Sequence, residues 1–255
     1  MHLIFRGGTG KFISIMETMP LNRFLANFAG VSRREADRLI RSGKAALDGV
    51  PALRPETPVG AGARVTLAGK PVEARETPLV YIMLNKPRGA VCSARDAHAG
   101  TLAADFIDLP GIKLNYAGRL DKESEGLLLF SNDGAWLNYL THPRYEVTKT
   151  YEVILREPLN EAAVEKMRRG VTDDGETLRP LAAGFASADR KKLQFILNEG
   201  KKREIRRLCA AVGGKIARLI RRGQGGVELG DLPPGQWRHL TASELEILQK
   251  AGKKV

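Results

Sequence analysis

The chain is short of the groups that announce a metal or redox protein. Its two cysteines, Cys92 and Cys209, stand in no paired-ligand spacing, which argues against a metal knuckle or a disulfide framework. The four histidines are scattered and form no HExxH pattern. No apolar run approaches the length of a membrane span. Met1 to Ile15 lacks the long apolar core and cleavage site of a signal peptide. No basic helix carries a strong aromatic face, so an anionic membrane is a poor partner. A reducing, cytoplasmic setting is the expectation, with no membrane association and no metal.

Acid is also scarce relative to base. Twenty-nine Asp and Glu face 41 Lys and Arg, for a net charge of +12 and a pI near 9.9. Such an excess calls for a polyanionic partner, and nucleic acid fits best. With 255 residues and 43% hydrophobic content, the chain can bury one large domain, or one medium and one small.

The pattern organises around Gly118 to Gly134. Gly118-Arg119-Leu120-Asp121-Lys122-Glu123-Ser124-Glu125-Gly126 is a polar loop with Asp121 between two cations. Leu127-Leu128-Leu129-Phe130, bounded by Gly and by Asn132-Asp133-Gly134, reads as a buried strand. A charged loop anchored to a buried strand can hold a reactive side chain in place. Taken alone, an Asp in such a loop reads first as a turn former, and the rest of the chain is what changes that reading.

Before it, Met16 and Met19 precede the first patterned segment, and residues 1–18 are expected to be an unstructured extension. Leu21 to Gly30 reads as a helix. Ser32-Arg33-Arg34-Glu35 predicts a capping box that opens a second helix, with Ala36, Leu39 and Ile40 inward and Arg34, Arg38 and Arg41 on another face. Lys44 to Ala52 reads as a hairpin with an Asp48-Gly49 turn, and Arg64 to Leu67 as a further strand. Three arginines on one face suit a phosphate backbone, although a solvated face has the same pattern.

After a linker over Val72 to Pro78, Leu79 to Leu84 reads as a strand ending in the basic turn Asn85-Lys86-Pro87-Arg88-Gly89. Thr101 to Ile107 is predicted as a short helix, as is Asp133 to Leu140. Lys149 to Leu155 and Lys192 to Leu197 alternate like half-buried strands. Asn160 caps a helix that Gly170 stops. Lys201 to Val212 is the most basic helix, and Ile205, Leu208, Cys209 and Val212 form its apolar stripe. Ile216 to Ile220 is a strand, and Thr241 to Glu244 a second capping box. Strands and short helices mix without a βαβ rhythm, so the expected class is α+β.

Two resemblances follow. Asn22-Arg23-Phe24-Leu25, Gly30 to Asp37, Ile40, Gly43 and Leu47-Asp48-Gly49 resemble the small alpha-L RNA-binding domain. Met83-Leu84-Asn85-Lys86-Pro87-Arg88-Gly89, Gly118-Arg119-Leu120-Asp121, Gly126-Leu127-Leu128, Lys149-Thr150-Tyr151, Glu199 to Arg207 and Leu219-Ile220-Arg221 resemble the RsuA/RluB-like ribosomal RNA pseudouridine synthases. The position of Glu204 is often Gln in that family.

The resemblance implies an alpha-L module over 19–74. A pseudouridine synthase domain with a mainly antiparallel sheet follows over 79–250. It also implies isomerisation of uridine to pseudouridine in ribosomal RNA by a monomer that needs no cofactor. Asp121 is then the catalytic carboxylate, as nucleophile or base, Arg206 its counter-charge and Tyr151 the ring against the target base. Arg119 lies beside the vacated stack, and Leu219 and Ile220 wall the uracil. Lys86, Arg34, Arg38, Lys201, Lys202 and Arg207 join the RNA contacts.

The expected target is the large-subunit 23S RNA, with small-subunit 16S RNA as the alternative. Two other readings compete. One is a non-catalytic RNA-binding or ribosome-assembly factor. The other is a nucleoside or glycoside hydrolase, which needs a second carboxylate from Glu123 or Glu125.

Overall fold

The computed structural model describes residues 12–13, 18–74, 77–93 and 100–253. It divides into two compact units, Met1–Leu79 and Val80–Val255.

In the first unit, helices Leu21–Phe28 and Arg33–Arg41 bury Leu21, Phe24, Leu25, Ala36 and Ile40 against Ala45, Val59 and Val65. Ser32 caps the second helix by accepting from the Glu35 amide at 3.2 Å. The Glu35 carboxylate turns to Arg38, so the reciprocal half of the predicted box is replaced by an ion pair. The hairpin Ala45–Leu47/Val50–Ala52 closes through Asp48 and Gly49, both at positive φ, the geometry of a type I′ turn. Val65–Leu67 pairs with a further strand, Lys70–Val72, so the predicted linker begins inside a hairpin. Its end, Thr77–Pro78, pairs with Phe12–Ile13. Residues 1–11 and 14–17 of the expected extension lie outside the described residues.

The second unit is built on a nine-stranded sheet. Its main path runs Ala182–Phe185, Lys192–Leu197, Lys149–Leu155, Ile216–Gln224, Glu125–Ser131, Tyr81–Lys86 and Trp237–His239. All neighbours on this path are antiparallel except at the centre. There Glu125 and Gly126 run parallel to Ile220 and Arg221. Gly126 makes that junction possible. Its φ is +105°, and a Cβ would sit 2.3 Å from the Arg221 carbonyl oxygen.

Alternation splits the core into two layers. Leu128, Phe130, Tyr151, Val153, Phe195 and Leu219 share one cluster with Val164 and Met167 of helix Glu161–Arg169. Ile205, Leu208 and Cys209 of helix Glu204–Ala210 complete it. Met83, Leu127 and Leu129 face the other way, toward Trp136, Leu137 and Leu140 of helix Gly134–Thr141 and Leu248 of helix Ala242–Gln249.

Three local differences from the sequence reading matter below. The basic helix begins at Glu204, because Arg203 adopts a left-handed conformation at φ +54° and ends the turn before it. The strand predicted to stop at Ile220 continues to Gln224 and carries Arg221 into the interior. The segment Thr101 to Ile107 forms only a 3₁₀ turn, Ala103–Phe106.

Candidate active site

Asp121 sits in the loop immediately before the central strand Glu125–Ser131. The loop is fixed at several points. The Ser124 amide donates back to the Asp121 carbonyl at 3.0 Å, and the Gly89 amide donates to the Lys122 carbonyl at 2.8 Å. Cys92 Sγ accepts from the Leu120 amide at 3.5 Å. Arg88 pairs with Glu123 at 2.6 Å.

Lys86 ties the loop from below. It is fully buried, and its Nζ donates to the carbonyls of Pro87 at 3.0 Å and Ser124 at 2.7 Å. Burial lowers its pKa, opposed by Cys92, Glu125, Asp121 and Glu123. Lys86 was expected to touch RNA. With no exposed surface it cannot reach a phosphate, and its role is to hold the turn on the loop.

Two arginines meet the Asp121 carboxylate. Arg206 Nε lies 3.5 Å from Oδ2, and Arg203 Nη1 lies 3.7 Å from the same oxygen. Arg206 is largely buried, and its Nη2 donates to the Glu123 carbonyl at 3.0 Å and to Ser124 Oγ at 3.1 Å. Its buried Nε has no hydrogen-bond partner and faces the carboxylate. The guanidinium therefore both orients the loop and supplies counter-charge.

Leu120 ties the loop into the apolar core. Leu120 and Ile205, the residues just before Asp121 and Arg206, belong to one cluster with Tyr151 and Leu219. Tyr151 is 9% exposed and lies in register with Phe195 and Arg221 on the two flanking strands. Leu219 is opposite Val153, on the Tyr151 face. Ile220 is opposite Glu152 and points to the other face, so the two adjacent residues cannot both wall one pocket. Leu219 is the one beside Tyr151.

Some of the other cations expected on RNA are engaged within the protein. Arg207 Nε meets Asp173 Oδ2 at 2.5 Å, and its Nη1 meets Glu176 at 2.6 Å, clamping the hairpin Val171–Asp173/Glu176–Leu178. Lys201 Nζ donates to the Thr177 carbonyl at 2.7 Å and pairs with Glu199 at 2.9 Å. Lys202 is exposed, and so is Arg119, one loop position before Leu120. Arg34 and Arg38 are exposed in the first unit, where Arg38 is engaged by Glu35.

Glu204 is buried, and its Oε2 accepts from the Lys201 amide at 3.2 Å while Oε1 has no partner. Burial raises its pKa, opposed by the hydrogen bond from the Lys201 amide. Sequence reading missed Lys86 as a clip, Ser124 as its anchor and Arg203 as a second cation on Asp121. The basic turn and the basic run were both visible, but what each residue touches was not.

A family model described as RNA pseudouridylate synthase matches residues 80–211. A solved pseudouridylate synthase superposes with a TM-score of 0.64 at 31% identity, over 90% of this chain and 99% of its own. Fold and site together define an RNA-modifying isomerase. The "Ribosomal small subunit pseudouridine synthase A" of Vibrio vulnificus is 32% identical over 91% of this chain and all of its own length. The "Ribosomal large subunit pseudouridine synthase B" of Bacillus subtilis is 33% identical over 90% of this chain and 95% of its own. The chain belongs to the RNA pseudouridylate synthase family, in its RsuA/RluB-like branch.

Proposed function

We propose that this enzyme converts one uridine of ribosomal RNA to pseudouridine, that Asp121 is the catalytic carboxylate, and that the RNA is the large-subunit 23S species. The observation that carries the reading is the Asp121–Arg206 arrangement. One carboxylate faces a largely buried guanidinium that is itself anchored on the Asp121 loop, and the residues just before the two, Leu120 and Ile205, share an apolar cluster with Tyr151 and Leu219.

The target uridine leaves its stack, at a cost of a few kcal/mol. It rests against Tyr151, where ring stacking offsets about 1–3 kcal/mol. Asp121 acts at the ribose as nucleophile or base, the bond to uracil nitrogen breaks, and carbon 5 of the turned base joins the same sugar carbon. Atoms and electrons balance within the nucleotide, so no cofactor takes part. Arg119 and Lys202 contact phosphates, as do Arg34 and Arg38 of an alpha-L module, and the enzyme works as a monomer in the cytoplasm.

The hydrolase alternative needs its acid from Glu123 or Glu125. Glu123 is bound by Arg88 and Glu125 by Arg218, and those hydrogen bonds lower both carboxyl pKa values. Neither is poised to hold a proton for a leaving group at neutral pH. The B. subtilis relative is named for the large ribosomal subunit and the V. vulnificus relative for the small one, so the test must offer RNA of both.

Unmodified 16S and 23S transcripts incubated with wild type should gain pseudouridine at one position of the 23S species, read by mass spectrometry. The Asp121→Asn variant should leave both unmodified while unfolding at a similar temperature. Equal product from the variant overturns the reading of Asp121, and release of free uracil overturns isomerisation in favour of hydrolysis. Product in 16S alone overturns the choice of subunit.

A further inference from the structure

Asp121 has two cations where one is enough, and they are held very differently. Arg206 is 17% exposed and cannot leave the carboxylate without breaking its hydrogen bonds to Glu123 and Ser124. Arg203 is 52% exposed, and among the described residues its side chain makes one ion pair, with Asp121. At 3.7 Å that pair is too long for a hydrogen bond. An exposed pair of this kind is weak and screened by salt.

The backbone explains why Arg203 lies there. Its left-handed φ of +54° is uncommon for a residue with a Cβ, and it ends the Lys201–Arg203 turn before the helix that carries Arg206. Two guanidinium groups three positions apart are thereby brought to one carboxylate oxygen.

We propose that Arg203 is an exchangeable counter-ion: it sits on Asp121 while the site is empty and moves to a phosphate beside the target uridine when RNA enters. This rests on the reading of the site given under Proposed function. The exchange is favourable because a phosphate offers the planar guanidinium two parallel hydrogen bonds, whereas the carboxylate holds it by one long contact. It also leaves Asp121 with Arg206 alone at the moment the sugar arrives. Arg203 is thus an RNA-binding residue in the occupied site and a cover for the carboxylate in the empty one.

The test uses the full chain and the ribosomal transcript that wild type modifies. Arg203→Asn keeps a residue type that tolerates a left-handed backbone, and Arg203→Lys keeps the charge. Arg203→Asn is expected to raise KM about tenfold with kcat within about twofold of wild type. Losing one phosphate contact should also make the plot of log(kcat/KM) against log salt shallower by about one. Arg203→Lys should recover at least half of the KM effect on a logarithmic scale.

A fall in kcat at unchanged KM would overturn the proposal by placing Arg203 at the reacting atoms. Kinetics indistinguishable from wild type, or a higher KM with an unchanged salt slope, would overturn it as well. If wild type itself makes no pseudouridine in either transcript, the functional reading fails first, and that result is separate from any difference between variants.

Discussion

Lys86 Nζ donates to the carbonyl oxygen of Ser124 at 2.7 Å, 38 residues away in sequence, and no solvent reaches the ammonium. The same Ser124 accepts from Arg206 through its hydroxyl. One cation from the strand before the loop and one from the helix after it therefore converge on the residue three positions beyond Asp121.

Lys86→Met should keep the buried stem and remove the charge. The carbonyls of Ser124 and Pro87 then lose a donor, at a cost of about 1–3 kcal/mol, because unmet buried acceptors forfeit their hydration. Urea unfolding at neutral pH checks this. Pseudouridine formation should fall mainly through kcat, about tenfold or more, since a small displacement of a reacting group is costly. Unchanged kcat in a folded variant would mean that the clip does not position Asp121.

Gly126→Ala meets a harder limit. The new Cβ would lie 2.3 Å from the Arg221 oxygen and 2.8 Å from its nitrogen, both backbone atoms that cannot swing aside. The variant should be destabilised by about 3 kcal/mol or more, through overpacking and a strained φ. The damage falls where the two halves of the sheet meet in parallel, so strand 125–131 and the Asp121 loop move together. Thermal unfolding and soluble yield measure it.

What was legible in the sequence was what local pattern controls. The buried strand after Asp121, the Asn160 cap, the Asp48-Gly49 turn and the Thr241–Glu244 box all depend on residues within a few positions. The α+β class followed from the mixture of such elements. Partners far apart in sequence were not legible. Arg207 looked like a phosphate ligand because nothing near it predicts that Asp173 and Glu176 will arrive. Lys86 looked like part of a basic surface because its burial depends on Ser124. Leu219 and Ile220 looked alike until their register with Lys149–Leu155 separated their faces. Arg203 passed as helix because a left-handed residue has no signature in a basic run.

Acid should act through the last helix. Arg238 makes two hydrogen bonds to Glu244, each 2.7 Å, and Glu244 also closes the Thr241 capping box. The Arg238 hydrogen bond is the main cause that takes its carboxyl from 4.5 to about 2. A depressed folded pKa gives stability that is present above 4.5 and lost as pH falls toward 2. Glu244→Gln should therefore be less stable than wild type at pH 7, and the two should converge as pH approaches 2. Urea midpoints at pH 7, 4 and 2.5 test it. A constant gap would assign the loss to shape rather than charge.

Base should act through Lys149, two residues before Tyr151. Burial lowers its pKa from 10.5 to about 8, helped by the nearby positive charge of Arg221 and opposed by Glu204 and Glu199. Its Nζ donates to the Val147 carbonyl at 2.8 Å. In this case the folded state binds its proton less tightly than the unfolded chain, so the unfolded chain holds more protons between pH 8 and 10.5. Stability from this group therefore rises with pH across that window, opposite to the usual salt-bridged lysine. Lys149→Met has no proton to lose and should not show the rise. The variant should compare best with wild type near pH 7, where the charged ammonium still bears its full desolvation cost. Its relative standing should decline as pH passes 8 and settle above 10.5. Urea unfolding of both proteins at pH 7, 9 and 10.5 checks the sign. Parallel profiles would show that Lys149 keeps water around its charge. In that case its half-buried position near the charge of Arg221 would impose no electrostatic strain on the strand that carries Tyr151.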